Sequence, residues 1–420
     1  MTEFARPPGT VDVLPEQASV WQWVEAKARE VFDLYHYREM RTPIFEHTAV
    51  FERGVGDTTD IVQKEMYTFT DRGGRSLTLR PEGTAGVVRA FVEGKLHGGT
   101  LPGKYFYLGP MFRYEKKQAG RYRQFNQYGV EVIGSDDPRA DAEVIELANR
   151  FLQVLGVEHY RLELNSVGCP QCRAVHKALL LEHLLPIKAE LCQDCQGRFD
   201  KNPMRILDCK IDGKHPLVLS APKITDHLCV DCAAHFEEVK GHLDALHVQY
   251  ELTPTMVRGL DYYTRTAFEF IGTELGAQST IIGGGRYNGL VSMLGGPDLQ
   301  GVGFAGGLER LLLTFDQAIM AELAVDKLDV FVITMGEAAA MLSVFVLQLL
   351  RSHGFRADGD YAGRGFKAQL KLADRYLAPA ALIIGDDEVA QHAVMLRDMT
   401  SKEQQLVAID ELISALRKYK

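Results

Sequence analysis

Two aromatic-rich runs, KYFYLGPMFRYE at 104–115 and YRQFNQYGVEVI at 122–133, flank a short polar loop, KKQAGR, that holds one glycine. Both runs read as strands, and together they predict a long antiparallel hairpin. Residues two apart in a strand share a face. Arg113 and Glu115 therefore point the same way, and on the return strand Arg123, Phe125, Gln127, Gly129 and Glu131 form one stripe. A core-facing stripe would be apolar, and a solvent-facing one seldom sets a phenylalanine beside a glycine. The stripe is either a binding surface or an ordinary polar face. Its parts suit a nucleotide and an amino acid: arginines grip phosphates with two parallel hydrogen bonds, Phe125 can stack on adenine, and Gln127 and Glu131 can hold polar groups. Lys116, Lys117 and Arg121 make the loop basic, which suits a phosphate backbone.

Around this hairpin the chain alternates in style. A helix is predicted over 16–36, an extended stretch over 38–47, a strand over 76–80, a turn at 81–84 and helices over 85–96 and 139–155. Strand character returns at 256–272 and 278–287, and GVGFAGGLERLLLTF at 301–315 reads as a glycine-rich strand feeding a helix. Between them, 167–250 is helical in pattern, holds all seven cysteines and looks inserted. From 326 to 420, strand-like DVFVITM, FRADGDY and AALIIGDDE alternate with helical runs, which predicts a small separate α/β domain. A length of 420 residues fits two or three domains. No internal repeat or low-complexity tract is present.

The segment MVRGLDYYTR, Met256–Arg265, crowds charges and phenols together, and Gly283–Gly285 with Arg286 and Tyr287 follow closely. Arg258 and Tyr263 suit a pocket, and Arg258–Asp261 also suits a structural ion pair. Bare glycines let a ligand approach the backbone or permit a tight bend. Arg310, in GGLER, sits where a helix start would favour an anion. The net charge of -9 argues against wholesale nucleic-acid coating but allows a local basic face. An odd cysteine count precludes a complete intramolecular disulfide set and fits a reducing compartment. With neither a signal pattern nor a run of about 20 apolar residues, a cytoplasmic protein without a membrane span is expected.

The cysteines form three CxxC pairs, Cys169/Cys172, Cys192/Cys195 and Cys229/Cys232, with Cys209 left over. Paired CxxC spacing is a zinc signature, and two pairs suffice for one tetrahedral ion. Three pairs leave the ligand set open, and reduced, packed thiols are the other reading. A bound zinc would be structural.

Taken in order, these segments resemble the histidyl-tRNA synthetase family of class II aminoacyl-tRNA synthetases, over nearly the whole chain. TPIFEHTAVFERGVGDTTDIV, MFRYEKKQAGRYRQF and GVGFAGGLERLLL look like motifs 1, 2 and 3 of the class, and MVRGLDYY and GGGRYNGL look like the two signatures of the histidine enzyme. The resemblance implies an α+β fold: a class II antiparallel-sheet catalytic domain over 1–325 with the helical insertion at 167–250, and an α/β anticodon-binding domain over 326–420. It implies ATP-dependent ligation of histidine to its tRNA through histidyl-adenylate, with ATP arriving as its Mg²⁺ complex, by a homodimer built through motif 1. Arg113 and Arg258 would meet the α-phosphate. Glu115, Arg121, Phe125 and Arg310 would hold ATP, with Phe125 and Arg310 on opposite faces of adenine. Glu82, Thr84 and Tyr287 would hold the histidine amino group, Gln127 its carboxylate, and Glu131 and Tyr263 its ring nitrogens. Neutral imidazole offers one donor and one acceptor, and a site built for both rejects analogues lacking them by roughly 10⁴ or more. Arg364, Lys367, Lys371 and Arg375 recur on one helical face, which suits tRNA or plain solvent. Two departures stand out: Tyr114 where histidine is usual, and Asn288 where aspartate is usual. A regulatory subunit of ATP phosphoribosyltransferase resembles the same catalytic body without the C-terminal domain, and is the alternative.

Overall fold

The computed structural model describes residues 4–56, 59–115, 119–257, 259–276 and 279–420. The chain divides into a larger unit, Met1–Leu14 with Trp21–Gln317, and a smaller one, Pro15–Val20 with Ala318–Lys420. The helix Pro15–Leu34 opens with its proline in the first turn, where the missing N–H leaves no bond unmade. Then come β1 (Arg38–Glu39), β2 (Phe45–His47), β3 (Tyr67–Thr70), β4 (Ser76–Leu79) and the helix Thr84–Glu93. The predicted hairpin follows as β5 (Gly103–Phe112) and β6 (Gln124–Ile133), paired from Gly103 against Ile133 to Phe112 against Gln124. After the helix Pro138–Val154 come β7 (Tyr160–Ser166), β8 (Glu251–Leu252), β9 (Thr264–Gly272), β10 (Thr280–Arg286) and β11 (Gly301–Gly307).

Eight of these strands form one sheet in the order β1-β5-β6-β11-β10-β9-β7-β8. Only β1 with β5 and β7 with β8 run parallel. Strand alternation sorts β6 between two layers. Tyr128, Val130 and Val132 pack with Val144, Ile145, Leu147, Phe151 and Leu152 of the helix Pro138–Val154. Gln127, Gly129 and Glu131 therefore face the opposite side. A small sheet, β2-β4-β3, stands apart.

One expectation is corrected. Strand character was expected from 256, but β9 begins at Thr264, and 259–263 is turn and irregular backbone. The stretch 167–250 is helical, with no strand among the described residues, and it packs into both cores of the larger unit. Phe236, Val239 and Leu243 of its last helix, Val230–Ala245, join the core behind the sheet. Leu180, Leu184, Phe199 and Ile206 share a second core with Tyr262, Tyr263 and Tyr287.

The smaller unit adds β12 (Val330–Thr334), β13 (Ala357–Gly359), β14 (Ala380–Ile384), β15 (Ala393–Asp398) and β16 (Gln404–Ala408). Their order is β13-β12-β14-β15-β16, parallel across the first three and antiparallel beyond. Val330 and Val332 face the helix Glu337–Ser352, and Phe331 and Ile333 face the helix Phe366–Arg375. That helix starts at Phe366, so Arg364 lies just before it, bonded to Asp360 at 2.5 Å. Lys367, Lys371 and Arg375 are exposed on the helix itself. No described helix is long and apolar enough to cross a membrane.

Candidate active site

On the face of the large sheet away from the helix Pro138–Val154 lies an open cleft. Its floor exists because β11 carries Gly303, Ala305 and Gly307 opposite Glu131, Gly129 and Gln127 of β6. These small residues clear space above the sheet. At Gly303 the room is used by the protein: a Cβ there would lie 2.1 Å from Oε2 of Glu131. The triplet at 283–285 divides in the same way. Gly283 lines the cleft, but a Cβ on Gly284 would meet the carbonyl of Gly303 and the ring of Phe268 at 2.4 and 2.5 Å. One on Gly285 would meet the carbonyl of Thr266 and the ring of Tyr263 at 2.5 and 2.9 Å. Of the three glycines, only Gly283 opens onto ligand space; the other two serve close packing of strands and rings.

At one end, Arg113, Glu115, Arg121, Phe125 and Arg310 line the cleft. Arg113 leaves the end of β5, donates from Nε to the carbonyl of Pro81 at 2.7 Å, and lies 5.3 Å from the centre of the Phe125 ring. Glu115 sits between two guanidinium groups, 2.8 Å from Arg121 and 3.7 Å from Arg113. Arg310 is fixed by a bond from Nη1 to the carbonyl of Thr280 at 2.9 Å. Burial, and then the nearby Arg121, lower its proton affinity. The three arginines make a cationic pole in which a polyanion replaces water and relieves mutual repulsion.

At the other end, side chains are tied to one another. Glu82 accepts the backbone N–H groups of Thr84 and Ala85, each at 2.8 Å, and so caps the helix Thr84–Glu93. Burial raises its pKa, against those two bonds. The Thr84 hydroxyl donates to one oxygen of Glu131 and the Tyr287 hydroxyl to the other, both at 2.7 Å. Glu131 is 1% exposed, and burial lifts its carboxyl to about 8, with the two hydroxyls opposing. Gln127 accepts from the Gly83 N–H at 3.0 Å. Because that N–H can only donate, the amide oxygen is the bonded end and the NH₂ is left for a ligand. Tyr263 lines the cleft, 4.8 Å ring to ring from Tyr262. Glu131 and Tyr287 stand just behind the lining, reached through Thr84 and the floor. Arg258 lies outside the described residues, as do Lys116 and Lys117.

Several features went unpredicted. Tyr262, Tyr122, Thr280 and Glu309 also line the cleft. Glu309 accepts the Asn126 N–H at 2.8 Å, and burial lifts it to about 7. Its place beside Arg310 in GGLER was the signal. Arg286, between the glycines and Tyr287, turns away from the cleft. It is fully buried and paired with the fully buried Asp141. Arg123 leaves the predicted stripe because β6 begins only at Gln124; its guanidinium stacks 3.8 Å from the ring centre of Tyr114. Tyr114 itself packs edge-on to Tyr67, outside the cleft. Asn288 donates to Asp136 at 3.2 Å, also outside it. Both sequence departures therefore lie off the cleft lining.

Comparison with known proteins adds independent findings. A sequence profile described as histidyl-tRNA synthetase matches residues 9–182 and 211–311, and one described as anticodon binding domain matches 329–419. A histidine–tRNA ligase of Shouchella clausii is 52% identical over 415 residues, covering 98% of this chain and 97% of the relative. One of Moorella thermoacetica is 52% identical over 416 residues, covering 99% and 98%. The crystal structure of apo histidyl-tRNA synthetase from S. aureus superposes with a TM-score of 0.83 at 41% identity, covering 99% of this chain and 100% of that one.

Proposed function

Because the chain belongs to the histidyl-tRNA synthetase family and ligates L-histidine to its tRNA with ATP, we propose that the cleft on the large sheet is where histidyl-adenylate forms and is transferred. The observation that carries this reading is the split of one cleft along β6, with a cationic pole around Phe125 at one end and a hydrogen-bonded polar pocket around Gln127 and Glu131 at the other. The regulatory-subunit alternative is not favoured. A structure titled as an ATP phosphoribosyltransferase regulatory subunit/histidyl-tRNA synthetase matches at only 20% identity, which carries the fold alone.

The residue roles are those the family resemblance implies, and the geometry of the cleft supports them. ATP enters as its Mg²⁺ complex, its adenine between Phe125 and Arg310 and its α-phosphate at Arg113. Arg121 joins the phosphates or the tRNA end, and Glu115 is released from bridging two arginines to meet the adenine side. Histidine lies deeper. Glu82 and Thr84 take its amino group, with Tyr287 behind, and the Gln127 NH₂ meets its carboxylate. Glu131 accepts the ring N–H, and Tyr263 serves the other nitrogen. An N–H donor from imidazole stabilises the ionised form of Glu131 and offsets its burial. The reaction then needs little covalent chemistry from the protein: the carboxylate is held in line with the α-phosphorus while positive charge gathers on the phosphates.

Arg258 completes this set by resemblance, between the two reactants. Arg258→Ala is expected to lower histidine-dependent ATP–pyrophosphate exchange by about 10²-fold or more with thermal unfolding unchanged; wild-type exchange would remove it from the mechanism. The catalytic domain is 1–325 with the segment 167–250 within it, and 326–420 binds the anticodon. The protein works in the cytoplasm as a homodimer, a state supported by exposed Ile44, Phe45 and Phe69 on and beside the small sheet. The decisive experiment is pyrophosphate exchange with histidine and with each other amino acid. Exchange with histidine alone supports the site; no exchange from folded protein that binds histidine overturns it.

A further inference from the structure

The seven cysteines, with one aspartate, gather into two separate groups of four. Cys169, Cys172, Cys229 and Cys232 form one, and Cys192, Cys195, Cys209 and Asp212 the other; in each group the ligand atoms lie within 4.8 Å of one another. All seven thiols are free.

The same local turn builds every half of both groups. Cys169, Cys192 and Cys229 each stand at the N-cap of a helix, Pro170–Leu184, Gln193–Arg198 and Val230–Ala245 respectively. In each, the carbonyl of the first cysteine accepts an N–H four residues on, from Arg173, Gln196 and Ala233, at 3.0, 2.9 and 2.9 Å. That turn brings the second cysteine, three residues on, back beside the first. The unpaired Cys209 repeats it: its carbonyl accepts the Gly213 N–H at 2.8 Å, and the residue three on is Asp212. Asp212 thus stands where the other turns carry their second thiol.

The separations match a metal and not a disulfide. Sγ of Cys169 is 3.5 Å from that of Cys172 and 3.9 Å from that of Cys229. Sγ of Cys192 is 3.9 Å from that of Cys209, which is 3.7 Å from Oδ2 of Asp212. Four sulfurs about 2.3 Å from a tetrahedral centre stand about 3.8 Å apart, whereas a disulfide needs about 2.05 Å. Backbone N–H groups also point at the ligand atoms: Cys229 N–H at Sγ of Cys172, 3.1 Å, and Cys192 N–H at Oδ2 of Asp212, 3.1 Å. Such donors orient and stabilise anionic ligands.

We propose that this chain holds two structural zinc-class cations, one on Cys169, Cys172, Cys229 and Cys232 and one on Cys192, Cys195, Cys209 and Asp212. Neither has an open position for a substrate. The first ties the entry of the helical segment to the start of its last helix, so it closes a loop of some sixty residues. The second braces a wall of the cleft. Cys195 shares a core with Tyr262 and Tyr263. Arg198 bonds Asp60 at 2.7 Å, and Asn202 bonds Asp261, next to Tyr262, at 3.2 Å.

The test is metal analysis and native mass spectrometry of the full-length protein, purified without chelator. Two zinc equivalents per chain are expected. Cys169→Ser with Cys172→Ser should lose one, and Asp212→Ala should lose the other. Asp212→Cys, which restores a thiol to that turn, should keep both. Cobalt-exchanged wild type reports ligand type without any variant: visible bands of an all-sulfur centre and of a three-sulfur, one-oxygen centre are both expected. No metal, or disulfides in the non-reduced protein, would overturn the proposal. A single equivalent lost only with the Cys169/Cys172 variant would overturn the second site. Two equivalents retained in every variant would overturn the ligand assignment.

Discussion

At the scale of residues, the cleft concentrates carboxyl groups that burial drives toward neutrality. Glu309 is 8% exposed, and burial lifts it to about 7. The folded protein therefore keeps a proton that the unfolded chain has lost above the ordinary carboxyl range. The stability this group contributes is complete below about pH 4.5 and falls as pH rises to about 7, beyond which nothing more is lost. Between pH 6 and 8 the loss amounts to about 1 kcal/mol. Glu309→Gln, which keeps an acceptor for the Asn126 N–H, is expected to remove that part of the pH dependence in urea titrations at the two pH values. Thr84 supports a different prediction. Its hydroxyl is one of the two donors on buried Glu131. Thr84→Val is expected to raise the KM for histidine about tenfold, the worth of one hydrogen bond to a charged group, while the KM for ATP stays within twofold. An equal rise for both substrates would mean that Thr84 holds the cleft as a whole.

At the scale of elements, the strands that carry the site are locked from behind. Arg286 ends β10 and Asp141 lies in the first turn of the helix Pro138–Val154; both are fully buried and paired. Arg286 also donates to the carbonyl of Ser135 at 2.7 Å, so one guanidinium pins helix, loop and strand. Removing the carboxylate leaves a buried charge without its partner, a change worth about 3–5 kcal/mol. Asp141→Ala is expected to lower stability by that order in denaturant unfolding, and Asp141→Asn by less. A loss below about 1 kcal/mol would show that Ser135 and Asp136 suffice. The pair explains why a sequence signature that looks continuous serves two ends: Gly283 lines the cleft, while Arg286 and Gly284 hold the sheet together.

At the scale of the whole molecule, separable work is expected of the two units. The smaller one matches the anticodon binding domain and exposes Lys367 and Lys371 on one helical face. Reversing both charges, Lys367→Glu with Lys371→Glu, is expected to lower kcat/KM for tRNA charging about tenfold or more at moderate salt, with a shallower salt dependence. Pyrophosphate exchange, which needs no tRNA, should be unchanged. Equal loss of both activities would mean that the helix supports the fold and not the tRNA.

Much of this was legible before any coordinates. Strand alternation marked Phe125, Gln127 and Glu131 as one face, and the alternation of strand-like with helical runs marked the C-terminal unit, because each rests on backbone geometry a few residues long. The placing of Tyr263 and Arg310 beside the cleft was legible as motifs. Other facts depended on partners far apart in the chain. Arg286 belongs to Asp141, 145 residues away, and Gly284 answers to Phe268 and Gly303 across two strand pairings. Arg123 lost its place in the stripe when the strand began one residue later. Asp212 became legible as a metal-ligand candidate only once folding set it beside Cys192 and Cys195. Local periodicity is written in the order of residues, but a side chain's task is set by what packs against it, and only the tertiary structure decides that.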